Sequence, residues 1–331
     1  MRIAVVNDSP LAVEALRRVV LREHTIAWTA NGGEDAIRKA THDRPDLILM
    51  DLVMPGIDGV DATRRIMRES PCPILVVTST VSGNYTLVYD ALGAGAVDAV
   101  QTPTLGADGK LAGADALSVK LAQFARKLLG SSATTPASAQ THHAVPLVAI
   151  GASTGGPLAL TELLGALPSS FPAAVVVVQH IEAEFSLGLM EWLSRKIAIP
   201  ICAATSGSMP QVGNVFLAVK NDHLTLRDDG RFAYTAVPED NPFRPNIDVF
   251  FESIAHGRPS SPGSAVLLTG MGRDGAEGLL KLRRLGWTTY AQDAESCAVN
   301  GMPDAAIKLG AAVHVMSPAA IGRDLAGRVR K

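Results

Sequence analysis

Short apolar runs alternating with amphipathic segments constrain this chain more than any other feature. "RIAVV", "TIAWTA", "DLILM", "PILVV" and "VDAV" are strand-sized and apolar almost throughout. That is the pattern of strands buried on both faces of a parallel sheet. Between them lie helical segments: "PLAVEALRRVVLRE", with Leu11, Ala15, Leu16 and Val19 on one side, and stretches around 34–42, 60–69 and 84–94. "LSVKLAQFARKLLG" closes this half as a helix ending at Gly130. Residues 131–144, "SSATTPASAQTHHA", are small, polar and aperiodic, which is linker composition. The alternation then resumes. It is interrupted at 212–236, where short runs broken by "ND" and "DDG" predict a small antiparallel hairpin. The expected architecture is two doubly wound parallel-sheet α/β domains joined by a flexible linker, which suits 331 residues.

Bulk properties narrow the function class. At 47% hydrophobic the chain has ample core, and a net charge of −2 gives no global reason to expect nucleic-acid binding. Cys72, Cys202 and Cys297 are far apart and odd in number, which argues against a disulfide framework or zinc site. "MRIAVVNDSP" lacks the apolar core of a signal peptide, and runs such as "AAVVVV" are too short to span a membrane. A cytoplasmic location without membrane insertion is expected.

In the first half, strand ends carry Asn7 and Asp8, then Asp51, then Thr78. Ligand sites in such sheets lie at carboxyl ends of strands. Two carboxylates converging there would bind a hard cation such as Mg2+, and Asp51 could then accept a phosphoryl group. Taken singly, Asp8 reads as a helix cap and Asp51 as a turn residue. Their co-location with "MPGIDG" favours the site. "VVNDS", "LILMDLVMPGIDG" and "VVTST" resemble the response-regulator receiver domain over residues 1–122. The resemblance implies phosphorylation of Asp51 by a histidine kinase, Mg2+ held by Asp8, Asp51 and the Val53 carbonyl, and Thr78 as the switch hydroxyl. Three residues depart from the family pattern. Asn7 stands where an acidic residue is usual, Thr102 where lysine is usual, and Ala99 at the aromatic switch position.

The second half opens on "VPLVAIGASTGGPLALTELLGAL", a strand, a glycine-rich turn and a helix. Such a turn holds either an anion or a nucleophile. There is no P-loop lysine, and the next strand ends in Gln179 and His180 rather than an acidic residue, so the anion reading is weak. "GASTG" fits G-x-S-x-G around Ser153. His180 is the expected base, and "SAVLLTGMGRDG" delivers Asp274 to the same sheet edge, with Asp293 in "AQDAES" as the rival carboxylate. The backbone N–H groups after Ser153, at Thr154, and of Met271 are candidate oxyanion donors. The order Ser, His, Asp differs from that of α/β-hydrolases.

"IGASTGGP", "VVVVQHI", "LLTGMGRDGAEGL" and "AQDAESCAVNGMP" resemble the catalytic domain of the chemotaxis protein-glutamate methylesterase (CheB) family over residues 146–331, with 123–145 as the tail of the terminal receiver helix and the linker. "VNDSPLAVEALRR" and "QTPTLG" look closer to the branch serving Wsp-type surface sensing. The resemblance implies hydrolysis of glutamate γ-methyl esters on a methyl-accepting chemoreceptor, a kinase of CheA type as phosphodonor, and a receiver that covers the esterase until phosphorylated. Some family members also deamidate glutamine. Arg244, in "EDNPFRPNIDVFFESIA", is either a contact for an acidic receptor surface or a solvated charge. No cofactor is implied for the esterase step. Two other classes compete: a receiver scaffold that only binds, and a transcriptional regulator. The second would need a compact helix-turn-helix with a basic face.

Overall fold

The computed structural model describes residues 1–78, 85–106, 111–127, 146–239, 241, 243–257 and 262–328. The expected linker at 131–144 and the expected helix end at Gly130 lie outside these residues. The chain divides into two compact units, Met1–Gly130 and Ser131–Lys331.

The first unit runs β1 (Arg2–Val6), α1 (Pro10–Val20), β2 (Thr25–Ala30), α2 (Gly33–His42), β3 (Leu47–Met50), α3 (Gly59–Glu69), β4 (Ile74–Thr78), α4 (Tyr85–Gly93), β5 (Asp98–Gln101), β6 (Thr104–Leu105), β7 (Leu111–Ala112) and α5 (Ala114–Lys127). Its sheet is parallel in the order β2-β1-β3-β4-β5. β3 and β4 are wholly buried, as their unbroken apolar sequences require. Ser9 caps α1, its hydroxyl accepting the Ala12 N–H at 3.4 Å. The cap role considered for Asp8 is therefore filled by its neighbour, and Asp8 is left exposed at the sheet edge. Ala15, Leu16, Val19 and Val20 bury the inner stripe of α1, but Leu11 is 72% exposed rather than part of it. The first turn projects past the sheet edge, where residues 8–10 are also exposed. The antiparallel pair β6–β7 has strands of two residues, too short to leave a pattern in sequence.

The second unit runs β8 (Leu147–Ala152), α6 (Gly156–Gly165), β9 (Ala174–Gln179), α7 (Ala183–Ser194), β10 (Ile201–Ala203), β11 (Val215–Leu217), β12 (His223–Leu226), β13 (Phe232–Thr235), α8 (Ile247–His256), β14 (Ser264–Leu267), α9 (Ala276–Arg284), β15 (Thr288–Gln292), α10 (Gly301–Lys308), β16 (His314–Met316) and α11 (Pro318–Arg328). The parallel sheet has the order β10-β11-β9-β8-β14-β15-β16. The chain builds outward from β8 through β9, then returns to β14 on the other side. The crevice of a doubly wound sheet therefore opens at the ends of β8 and β14.

The expected hairpin at 212–236 is narrower than its sequence pattern. β12 and β13 pair antiparallel across the "DDG" turn, whereas β11 pairs parallel with β9 and β10 inside the main sheet. Its three residues are buried, so "VFL" behaves as a core strand rather than a hairpin arm. α8 is pressed onto the sheet by Ile247, Phe250, Phe251 and Ile254, which share one core with Ala149, Val176, Leu267 and Leu279. Each such side chain contributes about 1.5–3 kcal/mol on burial. That packing brings the N-terminus of α8 to the crevice.

Candidate active site

β8 delivers Ser153 into a turn in which Gly155 has φ +80°, a left-handed conformation that favours glycine, and α6 begins at Gly156. Ser153 is buried and tied on both sides. Its N–H donates to the Thr269 carbonyl at 3.0 Å, and its own carbonyl accepts the Gly156 N–H at 2.7 Å and Gln179 Nε2 at 2.8 Å. Thr269 is in turn held by Gln292, whose Oε1 accepts its N–H at 2.8 Å, while the Thr269 hydroxyl donates to the Thr154 carbonyl at 3.0 Å. A side chain at Gly270 would stand 2.7 Å from the Ser153 Cβ, so the backbone leading to Met271 passes against Ser153.

His180 follows β9, and its N–H bonds the Ala152 carbonyl at 2.9 Å, one residue before the serine. Its Nε2 lies 2.7 Å from Asp274 Oδ2. Nδ1 is buried with no hydrogen-bond partner among the described residues. Phe243 stacks on the imidazole with centroids 4.6 Å apart and planes 2° apart, fixing the ring's tilt. Asp274 also accepts the Ile247 N–H at 2.7 Å and the Asp248 N–H at 3.0 Å, the first two donors of α8. Burial alone would raise the Asp274 carboxyl. The hydrogen bond and charge of His180, with the two N–H groups, overcome it and hold the carboxyl below its ordinary value. Ser153, His180 and Asp274 therefore sit at the ends of three adjacent strands, β8, β9 and β14, where a general base and its orienting carboxylate are required.

In the first unit Asp51 is buried at the end of β3, accepting Asn7 Nδ2 at 2.9 Å and the Leu52 N–H at 2.8 Å. Burial pushes its carboxyl up to about 6, against the N–H groups of Leu52 and Val53 and with the help of Asp8. Asp8 and Val53 are exposed at the same edge. Thr78 is buried, and its carbonyl accepts the Thr102 N–H at 3.0 Å. A pair of carboxylates with a nearby carbonyl is a hard oxygen set that fits Mg2+. The substitution at Asn7 makes one neighbour of Asp51 a neutral donor instead of a third anion.

The CheB methylesterase family model matches residues 148–325, and the response regulator receiver domain model matches residues 3–108. The chain belongs to the CheB methylesterase family. A protein-glutamate methylesterase/protein-glutamine glutaminase 2 of Cupriavidus metallidurans is 54% identical over 96% of this chain and 95% of its own length. A protein of the same name from Burkholderia lata is 50% identical over 100% of this chain and 99% of its own. The Thermotoga maritima CheB methylesterase catalytic domain superposes on 56% of this chain and 99% of its own at a TM-score of 0.53 and 34% identity.

In this CheB chain, Asp293 is bonded within its own turn instead: its Oδ1 accepts the Ser296 N–H and hydroxyl at 2.9 and 2.7 Å. Arg244 is half-buried and donates to the Glu239 carbonyl of its own loop, next to Phe243. The supporting residues Gln179, Phe243, Thr269 and Gln292 were not expected from sequence. For Gln179 a signal existed: a glutamine directly before the histidine at a buried strand end.

Proposed function

We propose that this chain is a phosphorylation-regulated protein-glutamate methylesterase acting on a methyl-accepting chemoreceptor. The observation that carries the reading is the 2.7 Å bond from His180 Nε2 to Asp274, which leaves Nδ1 without a partner among the described residues. Ser153 Oγ attacks the ester carbonyl while His180 Nδ1 takes its proton. The N–H groups of Thr154 and Met271 receive the oxyanion, where each such donor is worth about 10^2–10^3 in rate. The intermediate collapses, His180 returns the proton to the departing methoxide, and methanol leaves. Water, deprotonated by His180, then cleaves the acyl-serine and regenerates Ser153 with a free glutamate. An amide at the same position follows the same steps with ammonia leaving, in line with the double name of the relatives.

Asp51 is the phosphoryl acceptor, with a histidine kinase of CheA type as donor. Asp8, Asp51 and the Val53 carbonyl would hold Mg2+, which when bound neutralises charge on the transferring oxygens. Phosphorylation then relieves the receiver's restraint on the esterase. Arg244 meets the acidic receptor surface. No described helix is long and apolar enough to cross a membrane, and we place the reaction in the cytoplasm, where the receptor's methylated helices lie. The test is the purified full chain on a receptor carrying labelled methyl esters, beside a DNA shift assay. Release of labelled methanol is expected. A folded protein that shifts DNA and releases none would favour a transcriptional role.

A further inference from the structure

Two helices of the catalytic unit exchange carboxylates. Asp274 lies two residues before α9 and accepts the first two N–H groups of α8. Asp248, in the first turn of α8, accepts the Gly278 N–H in the first turn of α9 at 2.6 Å. The approach is close because residue 278 lacks a side chain: a Cβ there would stand 2.6 Å from the Phe251 Cβ and 3.1 Å from Asp248 Oδ1. Each helix thus caps the other, and the loop of bonds closes through Asp274.

We infer that Asp248 is a positioning residue for the catalytic carboxylate, holding the start of α9 so that Asp274 stays aimed at His180 Nε2. The inference rests on the triad reading above. Without the Asp248 acceptor the Gly278 N–H loses its partner, α9 loosens at its first turn, and Asp274 is free to shift. Displacements of about 1 Å at such a site cost on the order of 10^2 in rate. The charged groups near the pair are Asp274, His180, Glu252 on α8 and Lys281 on α9, the last two bridged at 2.6 Å. Burial and the Asp274 charge raise the Asp248 carboxyl well above its ordinary value. Asn keeps an oxygen where Asp248 Oδ1 accepts the Gly278 N–H, and should therefore do the same work.

The experiment measures labelled-methanol release from methylated receptor across pH, with the full chain, for Asp248→Asn, Asp248→Ala and the control Glu252→Gln. Asp248→Asn should keep most of kcat. Asp248→Ala should lose about ten- to a hundredfold in kcat with little change in KM. The acid limb of its profile should move to lower pH, because a misaimed carboxylate stabilises the imidazolium less. If Asp248→Ala does not fold, Asp248→Glu, which keeps the carboxyl and moves its oxygens, should show the same loss. Glu252→Gln should lower the melting temperature without moving the limb. Wild-type kcat and limb in all folded variants, or a loss of stability alone, would overturn the inference. So would an Asn variant as impaired as Ala. Ser153→Ala run in parallel separates the cases: if it retains wild-type release, the triad itself is wrong.

Discussion

Asp51, directly after β3, and Asp274, in the turn between β14 and α9, are both buried on the carboxyl side of their sheets, yet their carboxyls move in opposite directions. Asp51 has an amide from Asn7, the N–H groups of its own turn and the anionic Asp8 beside it, and burial wins: its carboxyl rises to about 6. Asp274 has His180 and the N-terminus of α8, and these win over burial. The sheet edge supplies the place, and the donors arranged around it decide the chemistry. A carboxylate short of donors gains most from a cation and suits group transfer. One saturated with donors stays an anion and suits orienting a base.

The largest test of this contrast is Ser153→Ala, which should reduce methanol release by about 10^6, as loss of a triad nucleophile does. Wild-type release would remove the esterase half of the comparison. Asp274→Asn should leave the fold intact and lower the rate by about 10^4 through a wrongly oriented imidazole. Asp293→Asn should be mild, since Asp293 only closes a turn. If the two outcomes were exchanged, Asp293 would be the orienting group.

A several-fold effect is expected from the receiver. A chain beginning near Val145 should demethylate faster than the unphosphorylated full chain, a phosphodonor should close part of that gap, and Asp51→Ala should keep basal activity without activation. Equal rates in every case would mean that Asp51 has no hold on the esterase. The smallest effect is on stability. Asp51 binds its proton more tightly folded than unfolded. Its contribution is fully present below the ordinary carboxylate value and is lost as pH rises through about 6. In EDTA, Asp51→Asn should therefore stabilise the chain at pH 7 by about 1–2 kcal/mol and flatten this part of the pH dependence. A variant less stable than wild type at pH 7 would contradict the raised carboxyl.

The candidate site residues stood out in sequence because each follows an apolar run: Ser153 after β8, His180 after β9, Asp274 in the glycine-rich turn after β14, Asp51 after β3. Strand ends in a doubly wound sheet converge, so local pattern alone brings such residues together. Their supports were not legible. Gln179 reaches a carbonyl 26 residues away, and Ile247 and Asp248 reach a carboxylate 27 and 26 residues away. The first depends on the register of β8 against β9 and the other two on how α8 packs, neither of which periodicity encodes. β11 failed for a related reason: three residues read alike as a hairpin arm or a sheet strand until the neighbouring strands are placed. Leu11 kept the helical period of α1 but lies where the helix has already left the sheet.

The opposition between the two aspartates is read most directly by 13C NMR of the aspartate carboxyls in the full chain without Mg2+, assigned with Asp51→Asn and Asp274→Asn. The Asp51 signal should titrate with a midpoint near 6. The Asp274 signal should stay that of an ionised carboxylate down past about 4, the ordinary aspartate value. An Asp51 midpoint at or below that value, or an Asp274 that takes up a proton above it, would contradict the division of roles between the two sheet edges.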